Sequence, residues 1–436
     1  MQSEWPLVRL GDLVDSCLGK MLDAKKNKGE LQPYLGNVNV RWGAFDLSDL
    51  SEMRFEPHEE ERYGLLPGDL VVCEGGEPGR CAIWTGPVQG MKIQKALHRI
   101  RPKASLYNYY LYYWFRHAAN VGLLEQHFTG TTIKHLTGKA ISALAVPLPP
   151  VDAQRAMVEV LRRIDDRIDL LRQTNATLES IAQALFKSWF IDFDPVRAKQ
   201  AGREPEGMDA ATAALFPAEF EESALGWIPK GWQISEVGQT AECVGGGTPS
   251  TREAAYWEPP VHAWATPKDL SGLGSPVLWA TERRLSEAGL KKISSGLLPP
   301  GSLLMSSRAP IGYLAIANIP VAVNQGFIAM RPGGLLPPVY LYFWCQANMD
   351  AIKQKANGST FMEISKTAFR PILLVLPPKE VVARFAEIAG AIFERIAASE
   401  QQRAGLTDLR DTLLPRLISG KLRLPEAREQ FDEATA

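Results

Sequence analysis

Two long stretches of the chain place apolar residues at alternating steps of four and three, the spacing of a helix that packs along one face. No proline interrupts residues 151–191, and at 1.5 Å per residue such a helix is about 60 Å long. The second stretch keeps the same register, although Gly390 and Pro415 weaken it. The apolar positions are Met157, Leu161, Ile164, Ile168, Leu171, Leu178, Ala182, Leu185 and Trp189 in the first stretch, and Phe385, Ala389, Ile392, Ile396, Leu406, Leu413 and Leu417 in the second.

Polar residues interrupt the apolar face of both stretches. Asn175 fills the one missing step of the first, and Ser399, Arg403 and Arg410 stand in the second. Such residues usually select a partner or a register. We therefore expect the two helices to pack on each other as an antiparallel coiled coil. The alternative is that each helix packs only on its own domain.

Short apolar runs punctuated by Gly and Pro precede each long helix and predict strands. They include residues 71–72 and 82–84 in the first half, and 303–305, 313–317 and 372–376 in the second. Tyr110 and Tyr340 each open a Tyr-Leu-Tyr-x-Trp segment that predicts a shorter helix. A Pro-Pro pair follows the last strand of each half. Proline cannot donate a hydrogen bond to a sheet, so the pair is predicted to end the strand.

The same order of elements therefore occurs twice. Residues 130–150 match residues 358–378 at a constant offset of 228 without a gap, and elsewhere the offset drifts only between 227 and 233. Each copy has the size of a domain. Two copies of one unit suggest pseudo-symmetric recognition of an object that itself has two halves.

The predicted fold class is α+β, with two pseudo-symmetric mixed α/β globular domains joined by two long helices that form an antiparallel coiled coil. The first globular domain is expected at residues 1–150, and the first long helix at 151–194. A linker rich in Pro, Gly, Ala and Glu is expected at 195–227. The second domain, the second long helix and a polar tail follow at 228–378, 379–422 and 423–436.

Composition excludes several classes of protein. Hydrophobic residues make up 45% of the 436 residues and charged residues 22%, as in an ordinary globular protein. No run approaches the roughly 18 apolar residues of a membrane span, and no signal peptide is visible, so we expect the cytoplasm. The net charge is −1, which excludes an overall basic protein, yet residues 228–378 contain 13 Lys and Arg against 9 Asp and Glu.

Catalytic and metal-binding patterns are not visible in the sequence. There is no phosphate-binding G-x-x-x-x-G-K-[ST] loop and no Asp/Asn-Pro-Pro-Tyr/Phe methyltransferase motif. A turn is favoured over a cofactor loop for Gly245–Gly247, and helix capping over metal binding for Asp192 and Asp194. The five cysteines include no close pair, so we interpret them as reduced packing residues, and we expect neither a cofactor nor a metal in this chain.

Polar and basic residues in turns remain as candidates for function. Arg and Lys can pair with guanine, and Asn and Gln with adenine, through hydrogen bonds to base edges. Ser and Thr can position phosphates. The alternative is that these turns are merely solvated. The candidate DNA-contacting residues are Lys92, Gln94, Lys95, Arg99, Thr131, Thr132 and Lys134 in the first copy, and Thr266, Lys268, Ser306, Arg308, Asn324, Gln325, Ser359 and Thr360 in the second.

Several short segments, in their order along the chain, resemble the specificity (S) subunit of type I restriction-modification systems. They are residues 189–197 (WFIDFDPVR), 226–232 (GWIPKGW), 265–270 (ATPKDL), 306–312 (SSRAPIG), 358–361 (GSTF) and 413–422 (LLPRLISGKL). Each is modest alone, and their order together with the repeat makes the match specific. One departure is Met362, which stands where related domains often carry Lys and where the first copy has Lys134.

The resemblance implies a non-catalytic subunit with two target-recognition domains and two conserved spacer helices. Each domain would read one half of a bipartite, asymmetric site in double-stranded DNA, and the helices would set the gap. The helices would also dock two modification (methyltransferase) subunits, which use S-adenosylmethionine. Restriction (nuclease and translocase) subunits, which use ATP and Mg²⁺, would join through them.

Other readings stay open at this point. The chain could be an enzyme with hidden motifs, or a coiled-coil scaffold with protein-binding domains. Within the favoured family, it could serve a related system such as a type IIB enzyme or another defence methyltransferase complex. Salt-dependent, sequence-selective DNA binding by the assembled complex would separate these possibilities.

Overall fold

The computed structural model describes residues 4–23, 27–358 and 362–435. Contacts within the chain divide it into two compact units. The first unit comprises Met1–Ile168 and Ala404–Ala436, and the second comprises Asp169–Arg403. Each unit therefore contains one copy of the repeat and a part of both long helices.

A four-stranded antiparallel sheet forms the centre of the first unit, in the order Val14–Leu18, Leu97–Pro102, Leu70–Cys73 and Cys81–Ile83. A three-stranded sheet lies beside it in the order Ser51–Phe55, Glu30–Leu35 and Lys92–Ile93, with the last two strands parallel. The remaining strands are Leu7–Arg9, which pairs with Ala145–Pro147, and Val40–Arg41, which pairs with Ala44–Phe45. The α-helices before the long helix are Leu10–Leu13, Glu60–Tyr63, Asn108–Asn120 and Gly138–Ala143, with 3₁₀ turns at Asn37–Asn39, Pro57–Glu59 and Glu125–His127.

The second unit repeats this topology with a fifth strand added to the main sheet. The order is Cys243–Val244, Phe327–Met330, Leu303–Ser307, Ile311–Ala317 and Val277–Leu278. The three-stranded sheet again contains one parallel pair, in the order Arg283–Leu285, His262–Ala265 and Val321–Val323. Gln233–Glu236 pairs with Leu373–Leu376, as Leu7–Arg9 does with Ala145–Pro147. The helices are Val237–Thr240, Pro267–Ser271, Glu287–Leu290, Pro338–Ala347, Met349–Gln354 and Lys366–Phe369, with a 3₁₀ turn at Ala254–Tyr256.

The Tyr-Leu-Tyr-x-Trp segments lie in the helices Asn108–Asn120 and Pro338–Ala347, and their aromatic residues are buried. Each segment also contacts the first long helix within its own unit. The Tyr113 hydroxyl donates to Asp165 at 2.7 Å, and the Tyr342 hydroxyl donates to Glu179 at 2.6 Å. The repeated motif thus anchors each sheet to the long helix through a buried aromatic body and a hydrogen-bonded tip.

The two long helices are Val151–Phe190 and Lys379–Ile418, each of 40 residues, and Pro415 lies inside the second. Within the second unit, Asn175 donates to Glu400 at 2.8 Å, and the rings of Phe186 and Phe385 are 5.6 Å apart. A later residue of the first helix therefore contacts an earlier residue of the second. The two helices are antiparallel. Within the first unit, Arg410 donates to Asp165 at 2.9 Å. The predicted fold class, with two mixed α/β copies and two paired long helices, is confirmed.

Residues 195–227, expected to be a turn-rich linker, form regular structure. They contain most of the helix Asp194–Gln200, the helix Ala210–Ala214, the strand Phe220–Ser223 and the start of the strand Gly226–Pro229. Val196 and Phe216 are buried in the core of the second unit. Asp209 accepts hydrogen bonds from Thr212 and Arg384, which tie this segment to the second long helix. The Pro and Gly residues here lie mainly at the joints between these short elements.

The segment after the second long helix also folds. Leu424–Thr435, in the segment expected to be a polar tail, is a helix, and Arg428 donates to Glu159 at 3.2 Å. The backbone N–H of Glu4 donates to the carbonyl of Ser419 at 3.0 Å. The first unit is therefore built from both ends of the chain. None of the helices in the described part of the chain combines the length and apolar character of a membrane span.

Candidate nucleic-acid interface

Five turns meet in the second unit, and we call them the second turn cluster: residues 245–248, 265–269, 306–311, 324–326 and 357–364, of which 359–361 lie outside the described part. Backbone hydrogen bonds join them. The N–H of Ser307 donates to Gly326, and the N–H of Ile364 donates to Ser307. The N–H of Asn324 donates to Ala265 at 3.0 Å. Residues scattered over 120 positions of sequence are thereby fixed beside one another.

The first unit contains the same arrangement, the first turn cluster: residues 19–22, 35–39, 74–76, 94–96 and 129–136. The N–H of Glu74 donates to Ala96 at 2.8 Å, and the N–H of Leu136 donates to Glu74 at 2.7 Å. The N–H of Gln94 donates to Leu35 at 3.0 Å. These bonds reproduce those of Ser307, Ile364 and Asn324, so the repeat conserves the backbone of the cluster while its side chains differ.

Glycine is required at one equivalent position of both clusters. A Cβ on Gly19 would lie 2.5 Å from the carbonyl oxygen of Gln94, and a Cβ on Gly246 would lie 1.7 Å from that of Val323. Any side chain there would push the neighbouring turn away. The close approach of these turns therefore depends on Gly19 in the first cluster and on Gly246, 227 residues later, in the second.

In the second cluster, Thr266 and Lys268 sit on the short helix Pro267–Ser271. The backbone N–H of Thr266 donates to the Asp269 carboxylate at 2.8 Å as part of a capping box at the start of this helix, and the Thr266 hydroxyl also donates to it at 2.7 Å. Lys268 is exposed and lies 2.8 Å from Glu282. Because an exposed ion pair contributes little stability, Lys268 can exchange this partner for a phosphate.

Asn324 and Gln325 have different roles. The side-chain oxygen of Asn324 accepts from the N–H of Gly326 at 2.8 Å and shapes its own turn. Gln325 is exposed, and its side-chain oxygen accepts from the hydroxyl of Thr248. The amide NH₂ of Gln325 thus remains for a ligand. Ser306, in contrast, is buried: its hydroxyl donates to Pro310 and accepts from Tyr313, so it shapes the turn and is unavailable to DNA.

Arg308 is half-exposed beside a cavity of about 550 Å³. Its guanidinium lies 3.6 Å from Glu363, which is too long for a strong ion pair. Lys353 and Met362 line the same cavity. Two cationic side chains thus face one concave surface. Ser359 and Thr360, the other candidates from this loop, lie outside the described residues.

In the first cluster the candidate side chains lie in the turn 94–96 and the loop 129–136. Lys95 is exposed and Gln94 is half-buried in the turn between two strands. Thr131, Thr132 and Lys134 are exposed in the loop closed by the hydrogen bonds between Thr129 and His135. The ammonium of Lys134 lies 5.9 Å from the ring centroid of Phe128. The backbone hydrogen bonds of Glu74 to Ala96 and Leu136 join the loop with the threonines and Lys134 to the turn with Gln94 and Lys95.

Lys92 and Arg99 are structural residues, and we withdraw them as DNA contacts. Lys92 is fully buried, and its ammonium lies 2.6 Å from Glu60. Arg99 is also buried and donates to Asp15 at 3.0 Å and to the carbonyl of Glu61. Both side chains are enclosed by the unit and their donors are directed to partners within it, so neither presents its charge at the surface.

The sequence pattern missed the turn 36–39 of the first cluster. The N–H of Gly36 donates to the side-chain oxygen of Asn39, as the N–H of Thr266 does to Asp269. Gly36 and Thr266 lie 230 residues apart, within the drift of the repeat. An alignment of residues 36–39 (GNVN) with residues 266–269 (TPKD) would therefore have shown that Val38 corresponds to Lys268.

A buried histidine, His98, contacts Glu74 of the first turn cluster. Glu74 Oε2 lies 3.0 Å from Nε2 of His98, and Glu74 Oε1 lies 3.8 Å from Nδ1 of His135. Burial lowers the pKa of His98, against the opposite pull of Glu74. The second cluster has Ser307 and Ile328 where the first has Glu74 and His98. The two clusters thus share a backbone but differ in buried electrostatics.

Two copies of one fold, each with a turn cluster at the same place in its own unit, define a protein with an internal repeat. Residues 2–180 and 229–407 match the family described as the type I restriction modification DNA specificity domain. These matches cover most of the chain, which therefore belongs to this family.

Relatives of known name are similar over most of their length. The HindI specificity subunit of a type I restriction enzyme from Haemophilus influenzae is 29% identical over 332 residues, 67% of this chain and 72% of the relative. The MjaIX specificity subunit from Methanocaldococcus jannaschii is 25% identical over 365 residues, 82% of this chain and 78% of the relative. The crystal structure of the type I S subunit from M. genitalium has a TM-score of 0.57 at 14% identity, covering 95% of this chain and 96% of that one. This last likeness concerns the fold.

Proposed function

We propose that this chain is the DNA sequence-reading subunit of a type I restriction-modification complex. Each turn cluster reads one half of a bipartite site in double-stranded DNA. The observation that carries this proposal is the conserved backbone of the two clusters combined with their different side chains. A constant frame positions the reader on the duplex, and variable side chains select the bases.

Base reading in the second half falls to Arg308 and Gln325. A guanidinium pairs with the O6 and N7 of guanine, and the amide NH₂ of Gln325 donates to an acceptor on a base edge. Lys268 and Lys353 supply phosphate contacts. In the first half, Gln94 reads a base edge, and Lys95, Lys134 and the two threonines at 131 and 132 contact the backbone.

The remaining chemistry belongs to partner subunits. Two modification subunits carry S-adenosylmethionine and transfer its methyl group, and restriction subunits with ATP and Mg²⁺ join through them. The net charge of −1 supports this division, because a protein that binds DNA unaided usually has a basic face and an excess of positive charge. This chain itself neither methylates nor cuts DNA.

The test is to express the chain with its cognate modification subunits and to map methylated adenines across a host genome. We expect one asymmetric motif with two specified parts and an unspecified gap. The purified chain without partners should show no turnover of S-adenosylmethionine. Methylation of an undivided motif, or robust turnover by the isolated chain, would contradict the proposal.

A further inference from the structure

Four apolar side chains project into solvent from the first turn cluster. Met21 is 50% exposed, Leu22 58%, Val38 73% and Ile133 63%. Single exposed apolar residues are common on protein surfaces. A group of four around one proposed binding face is a different observation, because such patches usually mark an interaction site.

The hydrogen bonds of the cluster place these residues around the turn 94–96. Met21 and Leu22 follow Lys20, whose backbone N–H donates to Ile93 and whose carbonyl accepts from Lys95. Val38 belongs to the turn that follows Leu35, the backbone acceptor of Gln94. Ile133 lies in the loop that leads to Leu136, the donor to Glu74.

Two of the four equivalent positions of the second cluster are polar, and a third is proline. At the repeat offset of 227, Met21 and Leu22 correspond to Thr248 and Pro249. Val38 corresponds to Lys268 at an offset of 230. The counterpart of Ile133 is Phe361, which lies outside the described residues. The same frame therefore presents hydrocarbon in the first unit where it presents a hydroxyl and an ammonium in the second.

We propose that the first unit recognises the C5-methyl groups of thymine in its half-site through Met21, Leu22, Val38 and Ile133. This inference rests on the proposed function. The thymine methyl is the apolar group that base pairs present in the major groove, and apolar side chains contact it. Gln94 and Lys95 stand among the four apolar residues, so polar base-edge contacts and methyl contacts share one groove.

A wedge inserted between base steps is the competing use of exposed apolar side chains. A wedge is a protrusion, whereas these four residues come from three separate turns interleaved with polar ones. Their arrangement fits a surface that touches several methyl groups better than one that enters a single step.

The experiment replaces thymine by deoxyuridine, which removes only the methyl group. The complex with its modification subunits first has to bind its mapped motif selectively, and failure at this step would count against the proposed function. The half-site of the first unit is the one that stays unchanged when residues 228–377 are exchanged. Deoxyuridine there should weaken binding about fourfold per contacted methyl, and deoxyuridine in the other half-site should have a smaller effect.

Two variants assign the effect to the cluster. In Val38→Ala, the penalty for deoxyuridine at one position should shrink or vanish, because the methyl has already lost its contact. Leu66→Ala is the matched control, since Leu66 is 55% exposed. Leu66 precedes the strand Leu70–Cys73. Glu74 of the first turn cluster follows the far end of this strand, and a strand of four residues spans about 13 Å. This control should keep the full penalty, and Met21→Ala repeats the test at a second residue.

Selective binding that is indifferent to deoxyuridine in the first half-site would overturn the inference while leaving the proposed function intact. Equal penalties in both half-sites would overturn it too, as would a first half-site without any A·T pair. DNA that is kinked by the complex but insensitive to deoxyuridine would point to the wedge.

Discussion

Arg308 has a longer, weaker ion pair than Lys268, the other cationic candidate of the second turn cluster. Its partner Glu363 is 3.6 Å away, and both side chains are more than a third exposed. An exposed pair of this kind contributes at most about 1 kcal/mol to stability. The guanidinium is therefore held near the cavity without being locked there.

Arg308→Ala should weaken binding of the assembled complex by about 1–3 kcal/mol and relax selectivity at one position of the second half-site, as expected for a lost base contact. Binding to a panel of single-base variants at two salt concentrations measures both effects. A uniform loss across sequences with a shallower salt dependence would instead assign Arg308 to a phosphate. Glu363→Gln is the matched control: it removes the competing carboxylate and should leave binding equal or tighter. Lower thermal stability of Arg308→Ala would show a structural role.

Two buried histidines give the first unit a dependence on pH. Burial lowers the pKa of His98 and that of His117 below the ordinary value of 6.5. The unfolded chain therefore takes up these protons before the folded chain does as the pH falls. Their contribution to stability is complete above about pH 6.5 and is lost as the pH falls towards the lower, folded-state pKa values. The second unit contains one histidine, His262.

We accordingly expect the melting temperature of the first unit to fall more than that of the second between pH 7.5 and pH 5.5. His117→Gln should flatten this dependence, and His58→Gln, at an exposed position, should not. Hydrogen exchange of the two units at both pH values resolves them separately. An equal loss in both units would contradict the assignment to buried histidines.

Residue types in turns were a poor guide to which cations are free. Lys92, Gln94 and Lys95 are neighbours in sequence, yet Lys92 is buried against Glu60 and Lys95 is exposed. The difference depends on a carboxylate 32 positions upstream, and for Arg99 on Asp15, 84 positions away. Local pattern carries no information on such pairs, so the turns that meet in each unit could be proposed from the sequence, whereas the burial of these two cations could not.

The long helices are the elements that the sequence predicted best. They were expected at residues 151–194 and 379–422 and are Val151–Phe190 and Lys379–Ile418, so each begins at the expected residue and ends four residues earlier. The polar positions on their apolar faces now have partners, because Asn175 contacts Glu400 and Arg410 contacts Asp165. Residues 195–227 were harder to predict, because their short elements are stabilised by contacts with the core of the second unit.

The pair Asn175 and Glu400 provides a test of this register. Asn175→Ala should destabilise the second unit by about 1–3 kcal/mol, because a buried carboxylate loses a hydrogen-bond donor. Asn175→Leu combined with Glu400→Leu should recover most of that stability, since apolar packing replaces the polar pair. Thr177→Ala, exposed on the same helix, is the control. Chemical unfolding of the wild type, of Asn175→Leu and Glu400→Leu alone, and of the two combined closes a double-mutant cycle, and additive losses would show that the two residues do not interact.

For the whole molecule, the repeat makes modular specificity the central expectation. Replacing residues 228–377 with the matching domain of a relative should change one half of the methylated motif and leave the other half intact. Each copy has its own sheets, its own turn cluster and its own closing strand pair. Mapping methylated adenines before and after the exchange gives the answer. A change in both halves would show that the two clusters read DNA jointly.

The contact between Glu4 and Ser419 bears on how the protein is made. The second unit is one continuous segment, Asp169–Arg403, whereas the first also needs Ala404–Ala436. Domains usually fold in the order in which the ribosome delivers them. Here we expect the order to be inverted, because the unit that starts first lacks its final helices until the other has emerged. During translation the N-terminal unit is thus the one exposed to chaperones and proteases for longest, and a ribosome that stalls before residue 404 leaves a finished reader attached to an unfinished one.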